Sequence, residues 1–387
     1  MKRPFALIGI TYLSVQAALF YLESDLAAAI LTAVCFAGTI IVLFILKNRN
    51  LRHTVLGFCL TAAFASTIFS GYNIFVKQPI VDKYSEREIY VTATVLEQPT
   101  VQYDTFRYLI ETDSINGKIE KLKICLSTIN ELNVEEFDRI SCVLPLKECT
   151  KSQMIADGAF LQASVNKNFA YIVKKTDDKP LYYQAVKIRE NFADSFEQNM
   201  SQDCASLCRA VLLGEKTALS QEIQNDFTRC GVSFLIVVSG MHLAIISSFV
   251  FLCIKKIIKN RVLRSMIMLM CAFSFMAVTG FAPSVVRAGV MLAVVYSGKM
   301  FMRKGDSLNS LGIAALILTV PNPTAVADVG MLLSFTATLG IILWARKISV
   351  YIMGKFAKLK RLKKPVEFTV NLFAVSVSAA VWTMPLS

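Results

Sequence analysis

The chain has 387 residues, 55% of them hydrophobic, and a mean hydropathy of +0.52. This apolar content exceeds the roughly half-apolar composition of soluble domains and falls in long uncharged runs, which excludes an ordinary soluble protein. The net charge is +13, yet residues 77–182 carry −2, with 14 Lys and Arg against 16 Asp and Glu, while the remainder carries +15. The basic excess therefore belongs to the apolar portion, where it indicates either membrane topology or a nucleic-acid surface.

Three apolar segments near the N-terminus predict membrane-spanning helices, because each approaches the roughly 20 residues that cross a bilayer. They cover about residues 5–22, 26–46 and 54–76. Lys2 and Arg3 precede the first segment and a basic loop separates the second from the third, so we expect a cytoplasmic N-terminus. Three crossings then place residue 77 outside the membrane.

Residues 77–182 change to a β-rich pattern. Alternating side chains run from Ile89 to Val95 and from Arg107 to Ile110, and Asn116-Gly117 is a hairpin signal. A helical stretch near Gln153–Leu161 interrupts the later strands. About five or six short strands with one helix predict an all-β, OB-like barrel that is inserted between the spans and folds outside the membrane.

Four aromatic residues of this segment leave two interpretations open. They suit either stacking on the bases of a single DNA strand or packing in the barrel core. These residues are Tyr103, Phe106, Tyr108 and Phe169. Because the segment is slightly acidic, DNA binding would require a local basic face.

The cysteines and histidines predict no metal site and no cofactor. The ten cysteines contain no CxxC pair, and His53 lies far from His242, so a zinc site cannot be assembled. Cys125, Cys142 and Cys149 fall in the segment predicted outside the membrane, where disulfides are permitted. The sequence therefore permits a disulfide between Cys125 and either Cys142 or Cys149.

Amphipathic helical patterns follow, and we expect these helices to lie on the membrane surface. Further spans are predicted at about residues 232–254, 265–281, 288–302, 308–320, 331–345 and from 366 onwards. The fold class is thus an α-helical polytopic membrane protein with an inserted extracytoplasmic all-β OB-like barrel. The predicted domains are three N-terminal spans (1–76), the OB-like domain (77–182), the surface helices (183–230) and a membrane domain truncated at its C-terminus (231–387).

Five short motifs follow one another in the second half of the chain. They are Leu212-Leu213-Gly214, Ser239-Gly240-Met241-His242, Pro283-Ser284-Val285-Val286-Arg287-Ala288, Arg303 with Asp306 and Asn309, and Leu333-Ser334-Phe335-Thr336-Ala337-Thr338-Leu339-Gly340. Together they strongly resemble the motifs of the ComEC competence family. The resemblance implies a multi-pass channel of the bacterial plasma membrane that translocates single-stranded DNA into the cytoplasm during natural competence.

The same resemblance implies partners, namely single-stranded DNA, membrane lipid, an external DNA receptor, a cytoplasmic ATP-driven translocase and further copies of the chain. Family members often carry a metallo-β-lactamase-like nuclease domain as well. Two histidines and no HxHxDH run cannot build that site, so we expect this chain not to be an enzyme. The alternatives are a membrane-bound hydrolase that uses Ser239 and His242, and an inactive truncated fragment.

Ser239 and His242 form the most suggestive pair of polar residues. They are three residues apart, so on one helix they would share a face directed at the bundle interior or a water-filled path. Pore lining, a structural hydrogen bond between helices, and a nucleophile with its base are all open interpretations. Gly240, between them, permits close helix contact.

Arg287 follows Pro283 at a place where a helix must break or begin. A guanidinium within the membrane requires an anion, and DNA phosphate would serve. A salt bridge to Asp328 and snorkelling to the surface are the alternatives. The further candidates for the DNA path are Gly240, Pro283, Asp306, Asp328, Ser334 and Phe335.

Overall fold

The computed structural model describes residues 3–22, 30–35, 37–38, 49–97, 99–102, 105–150, 152–165, 170–175, 182–215, 219–230, 236, 238–302, 305–355 and 363–386. The chain divides into two compact units. One comprises Met1–Gly71 with Met302–Ser387, and the other comprises Tyr72–Phe301.

Helices make up most of the described chain. In chain order they are α1 (Pro4–Leu22), α2 (Arg49–Tyr72), α3 (Gln78–Tyr84), α4 (Ser152–Ala156), α5 (Tyr183–Asn199), α6 (Gln202–Cys208), α7 (Gln221–Arg229), α8 (Gly240–Ile257), α9 (Arg261–Val278), α10 (Pro283–Met300), α11 (Ser307–Thr319), α12 (Val329–Gly340), α13 (Arg346–Lys355) and α14 (Lys363–Thr383). Single π-helical turns join α2 to α3 at Asn73–Lys77 and α12 to α13 at Ile341–Ala345.

Six helices in the described residues are long and apolar enough to cross a membrane. They are Pro4–Leu22, Leu51–Tyr84, Gly240–Ile257, Arg261–Val278, Val329–Gly354 and Val366–Thr383. The helix α11 is apolar but has only 13 residues. The prediction of a mostly helical chain with several long apolar helices is thus confirmed, whereas most of the span predicted at 26–46 lies outside the described residues.

Seven strands build the β-rich segment within the described residues. They are β1 (Arg87–Val95), β2 (Thr100–Gln102), β3 (Thr105–Ile115), β4 (Lys123–Thr128), β5 (Arg139–Glu148), β6 (Ala159–Val165) and β7 (Tyr171–Lys174). Five of them close into a barrel in the order β1-β3-β4-β6-β5, because β5 also pairs with β1. The pair β4–β6 is parallel and the other pairs are antiparallel. The predicted barrel is therefore present.

A tight turn follows β3 at the position where the sequence predicts a hairpin. Asn116 and Gly117 both adopt positive φ, +47° and +81°, as the two central residues of a tight hairpin turn require. Ile115 and Lys118 bridge across that turn. The predicted hairpin signal is confirmed, although β4 itself begins a few residues later, at Lys123.

The barrel has a dry interior and one covered outer face. Tyr108 is 1% exposed inside the barrel, its hydroxyl accepts a hydrogen bond from the Leu132 N–H (2.8 Å), and Phe106 packs partly buried against the same core. Tyr108 therefore belongs to the core, and Tyr103 and Phe169 lie outside the described residues. The short helix α4 covers the outside of β3 and β4, where Met154 packs with Leu109.

The three cysteines of the barrel lie on two different faces and are thiols in the structure. Cys142 belongs to the barrel interior, whereas Cys125 and Cys149 pack together beneath α4. This placement separates Cys125 from Cys142, and β6 lies between β4, which carries Cys125, and β5, which ends just before Cys149, so the bridge from Cys125 to either cysteine stays a prediction. Burial raises the pKa of the Cys142 thiol to about 11.

Candidate functional site

Three of the sequence motifs converge in the unit formed by Tyr72–Phe301. Gly214 ends a π-helical turn with φ +86°, and an added Cβ would lie 3.5 Å from the Thr279 carbonyl oxygen and 3.6 Å from a Val238 methyl group. Val238 immediately precedes the Ser239–His242 motif, and Thr279 lies shortly before the Pro283–Ala288 motif. The fold therefore brings together segments that are about 65 residues apart in the chain.

The Ser239–His242 motif forms the N-terminus of α8. Ser239 is the N-cap residue, so the helix begins at Gly240 rather than near residue 232 as predicted. His242 Nδ1 accepts a hydrogen bond from the Ser239 backbone N–H at 3.1 Å and also lies 3.1 Å from the Ser239 hydroxyl. His242 thus occupies the position at which glutamate or glutamine closes a capping box.

This geometry bears on the three interpretations of the Ser239–His242 pair. The two residues do not share a helical face, because Ser239 precedes the helix and His242 folds back onto it. The Nδ1 lone pair that would take a proton from the serine is already engaged by a backbone N–H. The arrangement favours a structural role in capping, and both residues remain half-buried at the helix start.

The Pro283–Ala288 motif starts α10 directly beside the start of α8. Gly280 and Phe281 turn the chain with φ of +66° and +53°, and α10 begins at Pro283. The Ser284 hydroxyl then donates a 2.7 Å hydrogen bond to the Val238 carbonyl oxygen. A Cβ on Gly240 would lie only 2.8 Å from the Ala288 Cβ, so glycine is required for this close approach.

Arg287 lies one turn into α10 and is half-buried. The predicted partner Asp328 belongs to the other unit, so that pairing stays a prediction.

In the other unit, the motif residues Asp306 and Asn309 lie at the start of α11. Asp306 caps α11 by accepting from the Asn309 N–H (3.1 Å), and it forms a 2.7 Å salt bridge with Arg3. The hydrogen bond from Asn309, helped by Arg3, lowers the pKa of Asp306. Asn309 Oδ1 in turn accepts from the Ala6 N–H (3.1 Å), which fastens the start of α1 to the start of α11.

Three further candidates lie at or within α12. Asp328 caps this helix and accepts from the Gly330 N–H at 2.9 Å. Phe335 is 3% exposed, and the Ser334 carbonyl accepts from the Thr338 hydroxyl at 2.8 Å. These contacts account for helix start and packing, and a place on the DNA path stays a prediction for these residues.

A buried charge network, which the sequence motifs do not predict, joins the barrel to the helices. Arg189 on α5 is 5% exposed; it hydrogen-bonds Glu136 of the barrel loop, and its Nε lies 3.1 Å from Glu215 Oε1. Arg209 completes the network with a 2.9 Å bond to Glu215. Burial alone would lower the pKa of Arg189, but Glu136 and Glu215 together raise it. Burial raises the pKa of Glu136, against the opposing effect of Arg189.

Aromatic rings surround this network. Tyr182 lies between Phe137 of the barrel loop (centroids 5.8 Å apart) and Phe281 of the α9–α10 turn (5.4 Å). A Cβ on Gly280 would meet an Arg189 nitrogen at 2.9 Å, so that turn also makes room for the guanidinium. A signal was available in the sequence, since Arg189 falls on the stripe that α5 buries with Val186 and Ala193.

Comparisons with known proteins point to one family. Residues 211–387 match the model of the Competence protein family. ComE operon protein 3 of Bacillus subtilis (strain 168) is 24% identical over 161 residues, which cover 42% of this chain and 21% of that protein's length. No solved structure matches the chain. Residues 211–387 thus match the ComEC-type competence family, as the motifs within them predict.

Proposed function

We propose that the chain acts in the uptake of transforming DNA and forms part of the passage by which a single strand crosses the inner membrane. The observation that carries this proposal is the family match over residues 211–387, within which the Ser239–His242 and Pro283–Ala288 motifs meet at two adjoining helix starts. Since the chain aligns with about a fifth of its curated relative, the activity of a whole uptake machine is part of the proposal.

The chemistry of the two helix starts supports an anionic substrate. Neither α8 nor α10 has an acidic residue in its first turn. The N-terminal end of a helix carries a partial positive charge and N–H donors, both of which favour phosphate. Arg287 adds a full positive charge one turn further along α10. A DNA strand would be bound here through its phosphate charges and without contacts to the bases.

The barrel has a supporting role in this proposal. Its five-strand order, with one parallel pair, is compatible with an OB-type barrel, and we place it outside the membrane after three crossings from a cytoplasmic N-terminus. The face of an OB barrel that usually binds oligonucleotides corresponds here to β3 and β4, where α4 packs. We therefore propose that the barrel positions the membrane helices and is not itself the principal DNA contact.

The partners follow from the same proposal. A strand that crosses the membrane requires an external receptor to deliver it and an ATP-driven translocase on the cytoplasmic side. We propose no catalytic role for Ser239 and His242, because their hydrogen bonds cap α8.

The test uses a naturally competent cell whose own copy of this gene is deleted. Fluorescent DNA that resists added DNase reports passage into the cell, and surface-bound DNA reports the preceding step. We expect the chain to restore protected DNA, Arg287→Gln to reduce it by about tenfold, and Arg287→Lys to retain most of it, because lysine keeps the charge.

The control is the amount of each variant in the membrane, measured by immunoblot. Equal amounts of protected DNA with and without the chain would refute the proposed function. Equal uptake by wild type and Arg287→Gln would show that Arg287 is not part of the DNA passage.

A further inference from the structure

We propose that the adjoining ends of α8, α9 and α10 form a binding site for the phosphate headgroup of anionic phospholipids. This basic cluster consists of Lys255, Lys256, Lys259, Arg264 and Lys299. It is distinct from the helix starts described above and does not depend on the proposed function.

The charge balance of this region is the first observation. Residues 227–305 contain ten Lys and Arg and no Asp or Glu. Among the described residues, no acidic side chain forms an ion pair with any of the five members of the basic cluster. The positive charge is therefore left for an external anion to balance.

Aromatic rings hold two of these cations close together. Arg264 Cζ lies 5.4 Å and Lys299 Nζ 5.9 Å from the centroid of the same Phe251 ring, and Lys299 Nζ is also 4.3 Å from the Tyr296 ring. Cation–π contacts hold the side chains in place but leave their N–H groups to donate to another ligand. Two positive charges on one ring repel each other unless an anion lies between or beside them.

The N-terminal end of α9 adds to the same positive potential. The first turn of α9 carries Arg261 and Arg264 and has no acidic residue. Positive side chains at a helix N-terminus are unfavourable, because the helix dipole is positive there as well, and a bound phosphate removes this penalty. The last turns of α8 and α10 contribute Lys255, Lys256 and Lys299 from the other side.

The surrounding surface identifies the source of the phosphate as lipid. Large apolar side chains beside the cluster are strongly exposed, with Ile257 at 81% and Phe301 at 73%. Leu263 and Met266, on α9, are exposed by 48% and 51%. The acyl chains of a phospholipid cover aliphatic side chains such as Ile257, Leu263 and Met266 while its headgroup lies at the cations, whereas a nucleic acid covers mainly aromatic side chains, by stacking.

The experiment uses the full-length chain purified in a neutral detergent, with dioleoyl phosphatidylglycerol or dioleoyl phosphatidylcholine added in steps. The readouts are the unfolding temperature, followed by tryptophan fluorescence, and the number of lipids retained in native mass spectrometry. We expect phosphatidylglycerol to raise the unfolding temperature and phosphatidylcholine to have little effect. Arg264→Gln/Lys299→Gln should raise the required phosphatidylglycerol concentration by about tenfold or more.

Two further variants keep the test decisive. Lys255→Gln/Lys256→Gln changes exposed side chains only and should weaken phosphatidylglycerol binding without altering the lipid-free unfolding temperature. Arg346→Gln/Lys347→Gln, at an exposed basic site on α13, is the matched control and should bind like wild type. Equal binding by all variants would overturn the proposal. So would full replacement of the lipid effect by inorganic phosphate or by a single-stranded oligonucleotide.

Discussion

At the scale of single residues, several polar side chains in the C-terminal half of the chain are helix caps. Ser239 caps α8, Asp306 caps α11 and Asp328 caps α12. Within a membrane no water is available to satisfy the first N–H groups of a helix, so the chain must supply the acceptors itself. A polar motif in an apolar sequence therefore marks a helix start at least as readily as a pore.

The cap at α8 gives a prediction for His242. Replacing it with alanine removes the acceptor for the Ser239 N–H and should cost about 1 kcal/mol of stability. Glutamine retains an acceptor at the same position, as in an ordinary capping box, and should behave nearly as wild type. The measurement is the unfolding temperature of the purified variants, together with DNase-protected DNA in cells.

A different outcome would restore the hydrolase interpretation. If His242→Gln abolished function while its stability and membrane level matched wild type, the imidazole would be needed for proton transfer and not for capping. Ser239→Ala should then fail in the same way, whereas a capping role predicts only a partial loss.

The barrel cysteines give a second prediction at this scale. The Cys142 thiol is buried with its pKa raised to about 11, so at pH 8 it is almost entirely protonated and unreactive. Cys204 and Cys230 are exposed. Maleimide labelling of the native protein followed by peptide mass spectrometry should modify those two first and Cys142 only after unfolding. Rapid labelling of Cys142 would show that the barrel interior is open to solvent.

At the scale of elements, the contact between α1 and α11 depends on two glycines. An added Cβ on Gly9 would overlap the backbone of Gly312, and one on Gly312 would overlap the carbonyl of Phe5. Small residues let membrane helices approach closely enough for backbone packing, which contributes much of the attraction when both helices are apolar. The bonds from Ala6 to Asn309 and from Arg3 to Asp306 fix the register of this pair.

The prediction is that Gly312→Ala destabilises the protein by about 1–3 kcal/mol, because the backbone of α1 cannot move aside as a side chain would. Gly71→Ala is the matched control, since a Cβ at Gly71 in α2 meets nothing within 4 Å. The control should leave the unfolding temperature unchanged or slightly raised, given the helix propensity of alanine. Equal effects of the two substitutions would mean that α1 and α11 do not pack in this way.

Local periodicity made most of these elements predictable. Alternation from Ile89 to Val95 and the Asn116-Gly117 turn identified β1 and the β3 hairpin, and apolar runs identified α1, α2 and α9. The start of α8 was placed too early, because a run of apolar residues continues upstream of its cap at Ser239. Ser239 and His242 have the spacing of the N-cap and N3 positions of a capping box. This spacing indicates a helix that begins just after Ser239.

At the scale of the whole molecule, the connection between distant segments could not be predicted. Glu136, Arg189 and Glu215 are separated by 53 and 26 residues, and their charges alone do not identify one another as partners. Only folding of the barrel next to α5 brings these three charges together. Arg189 thereby ties the barrel loop to the segment with which the family match begins.

This connection predicts that Arg189 carries far more stability than a surface cation. Arg189→Met would leave the Glu136 and Glu215 carboxylates buried with one cation fewer, which should cost about 3–5 kcal/mol. Adding Glu136→Gln to Arg189→Met should recover part of this loss, because the uncompensated charge is removed.

Lys175→Met is the control for this prediction. Lys175 pairs with Glu135 in the same loop, but the two side chains are 76% and 52% exposed, so the effect of Lys175→Met should stay below about 1 kcal/mol. Unfolding temperatures of five proteins measure these differences: the wild type, the single variants Arg189→Met, Glu136→Gln and Lys175→Met, and the double variant. Additive effects of Arg189→Met and Glu136→Gln would mean that the two residues do not interact. Similar small losses for Arg189→Met and Lys175→Met would show that the barrel is not held to α5 through this network.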